Sequence, residues 1–145
     1  MSIVYIGIDP GATGAVAVLN GKVVEVYDIP TLKTKRKGGT KTVFNHGGIF
    51  NLFHMLDDEY NLENVSVCLE QSQVQVRGKG CNAYTGFRVG VSYGLWPLFL
   101  ASLGLSVEEV APAVWKRRRG LLGKDKEAAR HKAMSLFPTA DLGRK

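Results

Sequence analysis

The sequence predicts a mixed α/β fold, in which three antiparallel strands are followed by strands alternating with helices. Three observations carry this. The chain opens with short β-branched runs broken by turn residues. An Asn-Gly pair, a strong two-residue hairpin signal, joins the second run to the third. From residue 47 onward the apolar positions switch to helical spacing, interrupted by two further short strand-like runs.

Residues 3–8 (IVYIGI) are rich in β-branched and aromatic residues and read as a strand that Asp9-Pro10-Gly11 ends. Residues 14–19 (GAVAVL) form the second strand, Asn20-Gly21 the turn, and residues 22–29 (KVVEVYDI) alternate as the third. Residues 30–42 are polar, basic and without periodicity, and are expected to form a mobile loop. In 47–59, Ile49, Leu52, Phe53 and Leu56 mark one helical face. Residues 65–69 (VSVCL) read as a short buried strand ending at Glu70, and 71–85 as a polar, glycine-bearing loop.

Residues 86–103 are apolar on two faces, one with Val89, Tyr93, Trp96 and Leu100, the other with Val91, Leu95, Leu98 and Ala101. A helix apolar all round is expected to be buried on both sides, as a central core helix or as a core helix that also makes a dimer contact. Pro97 removes a backbone donor within it and predicts a kink. Residues 107–110 are expected as a further strand after the stop at Gly104, and Pro112 to Lys116 as a turn or short helix. Residues 125–136 read as an amphipathic helix with Ala129, Ala133 and Leu136 inward, Asp125 at its cap or first turn, and Pro138 closing it.

At 145 residues the chain suits one domain, 1–145, with a single core. Hydrophobic residues at 45% and charged residues at 22% describe an ordinary globular protein. No apolar run is long enough to span a bilayer, and the N-terminus, which begins almost at once on a strand, does not read as a signal peptide. Cys68 and Cys81 lack the spacing of a zinc site or disulfide framework and are expected as reduced thiols. The formal charge of +6 gains meaning from its distribution. Lys33, Lys35, Arg36, Lys37 and Lys41 form one cluster, and Lys116, Arg117, Arg118 and Arg119 another. Either alone is compatible with a solvated face; two clusters around carboxylate-bearing strands point to nucleic acid.

Those carboxylates are Asp9 and Glu70. Each closes an apolar strand, where a charge is costly unless solvated, paired or bound to a cation. Asp9 also has a plain role as a turn-starting residue, and Glu70 as half of an ion pair with a lysine or arginine. If the two strands are neighbours, the pair suits a hard divalent cation, Mg²⁺ or Mn²⁺. Two such ions can activate water and stabilise the leaving oxygen in phosphodiester cleavage. The loop after Glu70 adds Arg77, Lys79, Tyr84 and Arg88 as DNA contacts, the cations for phosphates and Tyr84 for stacking on an unpaired base. Phe87 could stack in the same way, but is expected to be the first core residue of its helix.

The segment Ile6-Gly7-Ile8-Asp9-Pro10-Gly11-x-x-Gly14-Ala15 resembles the opening strand and turn of the RuvC-like Holliday junction resolvases. Leu69-Glu70-Gln71, Tyr93-Gly94-Leu95-Trp96, Leu103-Gly104, Val110-x-Pro112-x-x-Trp115-Lys116, Asp125-Lys126 and Leu136-Phe137-Pro138 resemble later segments in the same order. The pattern is most similar to the chloroplast resolvases and related bacterial and phage proteins. The resemblance implies an RNase H-like fold, a homodimer and Mg²⁺-dependent nicking of four-way DNA junctions. It implies Asp9 and Glu70 as metal ligands and Lys116 and Lys126 as active-site lysines near the scissile phosphate.

The family's pattern also has two acids on a final helix after the Phe-Pro segment. This sequence ends at Lys145, about where that motif begins, and Asp141 does not match it. The domain therefore reads as truncated before its last helix, and the chain is expected to bind DNA but cleave it poorly. Two other readings fit parts of the sequence. A catalytically impaired junction-binding protein fits the missing acids. An actin- or Hsp70-type ATPase fits Gly7 to Gly14, which resembles that fold's first phosphate loop, although 145 residues leave no room for the second domain such proteins need. Another RNase H-like nuclease, acting on RNA–DNA hybrids or transposon ends, shares the strand-end acids. A bacterial or phage cytoplasmic protein and an organelle protein relieved of its transit peptide fit the chain equally well.

Overall fold

The computed structural model describes residues 3–72 and 83–142. Its main sheet contains β1 (Val4–Ile8), β2 (Ala15–Asn20), β3 (Val23–Asp28), β6 (Val65–Glu70) and β7 (Val107–Val110). The strand order is β3-β2-β1-β6-β7. The first three strands form the expected antiparallel meander, with Gly21 at φ 62° in the turn between β2 and β3. β6 and β7 then add to the other edge of β1, both parallel to it. The connections to them are helical, as parallel crossovers require.

Helices α1 (His46–Tyr60) and α2 (Ala83–Ser102) supply those connections. Both pack on one face of the sheet. Val4, Ile6, Ile8, Val16, Val18, Val67 and Leu69 point to that face and join Ile49, Phe53, Leu56, Trp96 and Leu100 in one buried cluster. Phe53 sits at its centre, 5.2 Å from the Phe99 ring and 6.4 Å from the Trp96 ring. Asn45 caps α1 by accepting the Gly48 N–H at 3.0 Å. On the opposite sheet face Tyr5, Ser66, Cys68 and Glu108 are exposed. β6 is therefore half-buried, with Val67 and Leu69 inside and Ser66 and Cys68 outside, and the expectation of a buried strand holds for one face only.

Three further expectations are corrected. Residues 30–42 do not form an aperiodic loop: β4 (Thr31–Arg36) and β5 (Gly39–Phe44) form a separate two-stranded antiparallel hairpin. Its turn uses Gly38 and Gly39 at φ 106° and 139°, where side chains are disfavoured. An isolated hairpin is marginal in water, and this one is anchored at its base. Ile29 is buried, the Asn45 N–H donates to the Pro30 carbonyl at 2.9 Å, and Phe44 meets the edge of Trp96.

α2 is the second correction. It begins at residue 83 rather than 86 and runs through Pro97, but is buried on one side only. Trp96 and Leu100 face the core, while Phe87, Val91, Leu95 and Leu98 are exposed, Leu98 by 70% and Phe87 by 69%. Phe87 is thus not a core residue.

The third concerns the C-terminal part, where α3 (Pro112–Arg118) and α4 (Lys126–Leu136) are both helical but contribute no buried residue. Leu136, expected inward, is 48% exposed. Asp125 does cap α4, accepting the Ala128 N–H at 2.8 Å. No helix among the described residues is long and apolar enough to cross a membrane.

Candidate metal and DNA site

The topology brings the two carboxylates together. In the parallel β1–β6 pair, Ile8 stands opposite Leu69. The residues that follow, Asp9 and Glu70, therefore emerge side by side from strands spaced about 4.8 Å apart. Ile8 and Leu69 point into the core, so strand alternation turns both acids toward the other face. Asp9 is exposed and Glu70 half-buried.

The turn after β1 is built around Asp9. Its N–H donates to the Ala15 carbonyl at 3.0 Å, and the Gly11 N–H donates to its Oδ1 at 3.3 Å. Gly14 closes the turn by donating to the Gly11 carbonyl at 2.9 Å. A Cβ on Gly14 would stand 2.1 Å from the Asp9 carbonyl oxygen. Glycine is thus required where the chain passes directly against the Asp9 backbone.

Glu70 is held from the other side. β7 pairs with β6 so that Val110 lies opposite Glu70, and the Gln71 N–H donates to the Val110 carbonyl at 2.9 Å. Pro112 then starts α3 at once, as its fixed φ allows at a first helical position. One turn later Trp115 Nε1–H donates to Glu70 Oε2 at 2.6 Å. Among the described residues the bonding partner of Glu70 is this neutral indole, not the lysine or arginine of an ion pair. The same side carries the Cys68 thiol, pushed up from its ordinary pKa by burial and by the negative charges of Glu108 and Glu70.

Lys116 is half-buried, with its Nζ 5.5 Å from the centre of the Trp115 ring, one side chain removed from Glu70. Lys126 is exposed at the start of α4, and no hydrogen bond or ion pair joins it to Asp9 or Glu70 among the described residues. Arg117, Arg118 and Arg119 are exposed at the end of α3. Two of them lie in its last turn, where cations also complement the helix dipole.

The first basic cluster is divided by its hairpin. Cross-strand pairing puts Lys33 opposite Thr42, Lys35 opposite Thr40 and Lys41 opposite Thr34. Lys33 and Lys35 therefore share one face and Lys41 occupies the other. Lys37 is exposed in the turn. Arg36 ends β4 with its side chain outside the described part, and Arg77, Lys79 and Cys81 lie outside the described residues.

An open groove of about 730 Å³ starts at Pro10, Gly11 and Ala12, beside Asp9, and runs between β5 and α2. Lys41, Tyr84 and Arg88 line it, as does Ser72, two residues beyond Glu70. The Arg88 guanidinium lies 5.8 Å from the centre of the Tyr84 ring. Residues from four separate segments thus meet in one channel, which begins at the residues that follow Asp9 in the chain.

The donor set fits a hard divalent cation: carboxylate oxygens at adjacent strand ends, with no cation paired to either among the described residues. No group of three His, Cys, Asp or Glu side chains that could hold a metal occurs among those residues. One or two carboxylates completed by substrate phosphates and water are a common setting for Mg²⁺.

A mixed sheet with a parallel crossover on each new strand and acids at neighbouring strand ends defines the chain as RNase H-like in fold. More particularly, the fold is that of RuvC Holliday junction resolvase structures. It is similar to Thermus thermophilus RuvC in complex with a Holliday junction substrate, with a TM-score of 0.57 and 15% identity over 99% of this chain and 84% of that one. A second T. thermophilus RuvC structure matches with a TM-score of 0.55, also at 15% identity, over 99% and 85%. No protein-family model and no curated protein matches the sequence.

Proposed function

We propose that the protein is a divalent-metal-dependent endonuclease that binds four-way DNA junctions as a homodimer and hydrolyses phosphodiesters. The observation that carries this reading is the pairing of Asp9 and Glu70 at the ends of adjacent parallel strands, in a fold like that of RuvC. Asp9 and Glu70 supply the protein oxygens for Mg²⁺ or Mn²⁺, with the Gly11 N–H holding the Asp9 carboxylate. A metal held there would supply activation of water and charge compensation at the leaving oxygen. Lys116, beside Trp115, and Lys126, at the start of α4, contact the phosphate that is cut.

DNA enters along the groove. Lys41 and Arg88 neutralise phosphates there and Tyr84 offers its ring to an unpaired base. Lys33, Lys35, Lys37, Arg117, Arg118 and Arg119 add exposed positive charge outside the groove, and Arg36, Arg77 and Lys79 are further proposed DNA contacts. The homodimer is supported by exposed apolar surface on α2 around Leu98, which lies outside the groove that Phe87, Val91 and Leu95 line, since contiguous exposed apolar surface marks an interaction site.

Competition binding in Mg²⁺-free buffer tests the substrate class. A mobile four-way junction is expected to outcompete linear duplex of the same sequence at least about tenfold. Affinity should fall by about 10³-fold or more between 50 and 200 mM salt if six or more phosphates are neutralised. Equal binding to both DNAs, or a flat salt dependence, would overturn the junction reading.

A further inference from the structure

Trp115 occupies an unusual place. Its side chain touches both a carboxylate proposed to bind metal and a lysine proposed to meet phosphate. Its Nε1–H donates to Glu70 Oε2 at 2.6 Å, and the Lys116 ammonium lies 5.5 Å from its ring centre. The indole is half-buried on α3, a short helix that follows β7 without a linker, so its position is tied to the same strand that pairs with β6.

The chemistry of this arrangement is specific. An indole has one donor and no acceptor, so it engages one carboxylate oxygen and leaves the other for a cation. A lysine or arginine in its place would bring a positive charge against the carboxylate and compete with the metal. The indole face meanwhile attracts the Lys116 ammonium without letting it pair with Glu70. We propose that Trp115 is a positioning residue: it fixes the orientation of Glu70 for metal binding through its N–H and keeps Lys116 one ring away from the acid through its face. The inference rests on the reading of Asp9 and Glu70 as metal ligands. Outer-sphere partners of metal-binding carboxylates commonly change metal affinity by about 10–100-fold when removed.

Two measurements on the whole chain test it. Mn²⁺ affinity is read from the EPR signal of the free ion for the parent, Trp115→Phe and Asp9→Asn. Phenylalanine keeps a ring face for Lys116 and removes only the donor. Trp115→Phe is expected to bind Mn²⁺ about tenfold more weakly than the parent, with junction affinity in EDTA unchanged. The second measurement needs no substitution in the site. The chain has two tryptophans, so a ¹H–¹⁵N spectrum shows two indole cross-peaks, and Mg²⁺ titration is expected to move that of Trp115 and leave that of Trp96, which is packed in the core. If the parent binds Mn²⁺ in an Asp9-dependent way, yet Trp115→Phe binds it equally well and the Trp115 cross-peak stays still, the positioning role is wrong and the metal site stands. If neither the parent nor Asp9→Asn binds Mn²⁺, the metal-site reading falls, and the role of Trp115 falls with it.

Discussion

Gly14 shows how a single residue can govern a site it does not enter. Any side chain there meets the Asp9 carbonyl oxygen, a backbone atom that cannot swing away. Gly14→Ala is therefore expected to displace the turn that presents the Asp9 carboxylate and to destabilise the protein by about 1–3 kcal/mol, the usual range for overpacking. Urea denaturation checks this; an unchanged midpoint would mean that the turn relaxes freely. In the sequence, Asp9-Pro10-Gly11-x-x-Gly14 was legible as a motif, and Asp9 and Glu70 were legible as acids closing apolar runs. The reason for Gly14 was not, since the glycine could equally have made room for a ligand phosphate. Nor was Trp115, whose partner Glu70 is 45 residues away and adjacent only through the β6–β7 pairing.

Elements were legible where one face is buried. β1, β2, α1 and β6 carry the period that burial imposes, and their positions were readable to within a residue or two. The β4–β5 hairpin was not, because both its faces are largely solvated. Threonine and lysine then alternate without any hydrophobic contrast, and the two-residue period has nothing to mark it. α2 erred in the other direction. Its all-round apolarity implied burial on both sides, yet only the Trp96–Leu100 face meets the core. The exposed stripe beside it explains the surplus if a second copy covers it. Leu98, 70% exposed, makes the test clean because its replacement disturbs little of the core. Leu98→Glu is expected to convert a dimer to a monomer in sedimentation velocity without lowering thermal stability of the monomer. A parent chain that sediments as a monomer at tens of micromolar would contradict the dimer.

At the scale of the whole molecule, the order of elements indicated a mixed sheet with helices on its faces and the family resemblance implied the RNase H-like fold, while the β1–β6 pairing that brings the acids together was left open by both. What order alone could not supply was the groove, which depends on the hairpin base, the turn after Asp9 and the first turns of α2 coming together. It gathers Lys41, Tyr84 and Arg88 but leaves Lys33 and Lys35 on the hairpin's other face, so the basic cluster serves two surfaces and not one.

If Asp9 and Glu70 form a metal-dependent cleavage site for branched DNA, single-turnover cleavage of a mobile four-way junction, with Mg²⁺ or Mn²⁺ and with EDTA, separates the parent from Asp9→Asn most directly. Nicking is expected to require the metal and to fall by at least about 100-fold in Asp9→Asn, a loss of about 2.7 kcal/mol of transition-state stabilisation, with junction affinity retained. Cleavage that persists in Asp9→Asn, or a parent chain that binds the junction and never nicks it with either metal, would contradict that reading.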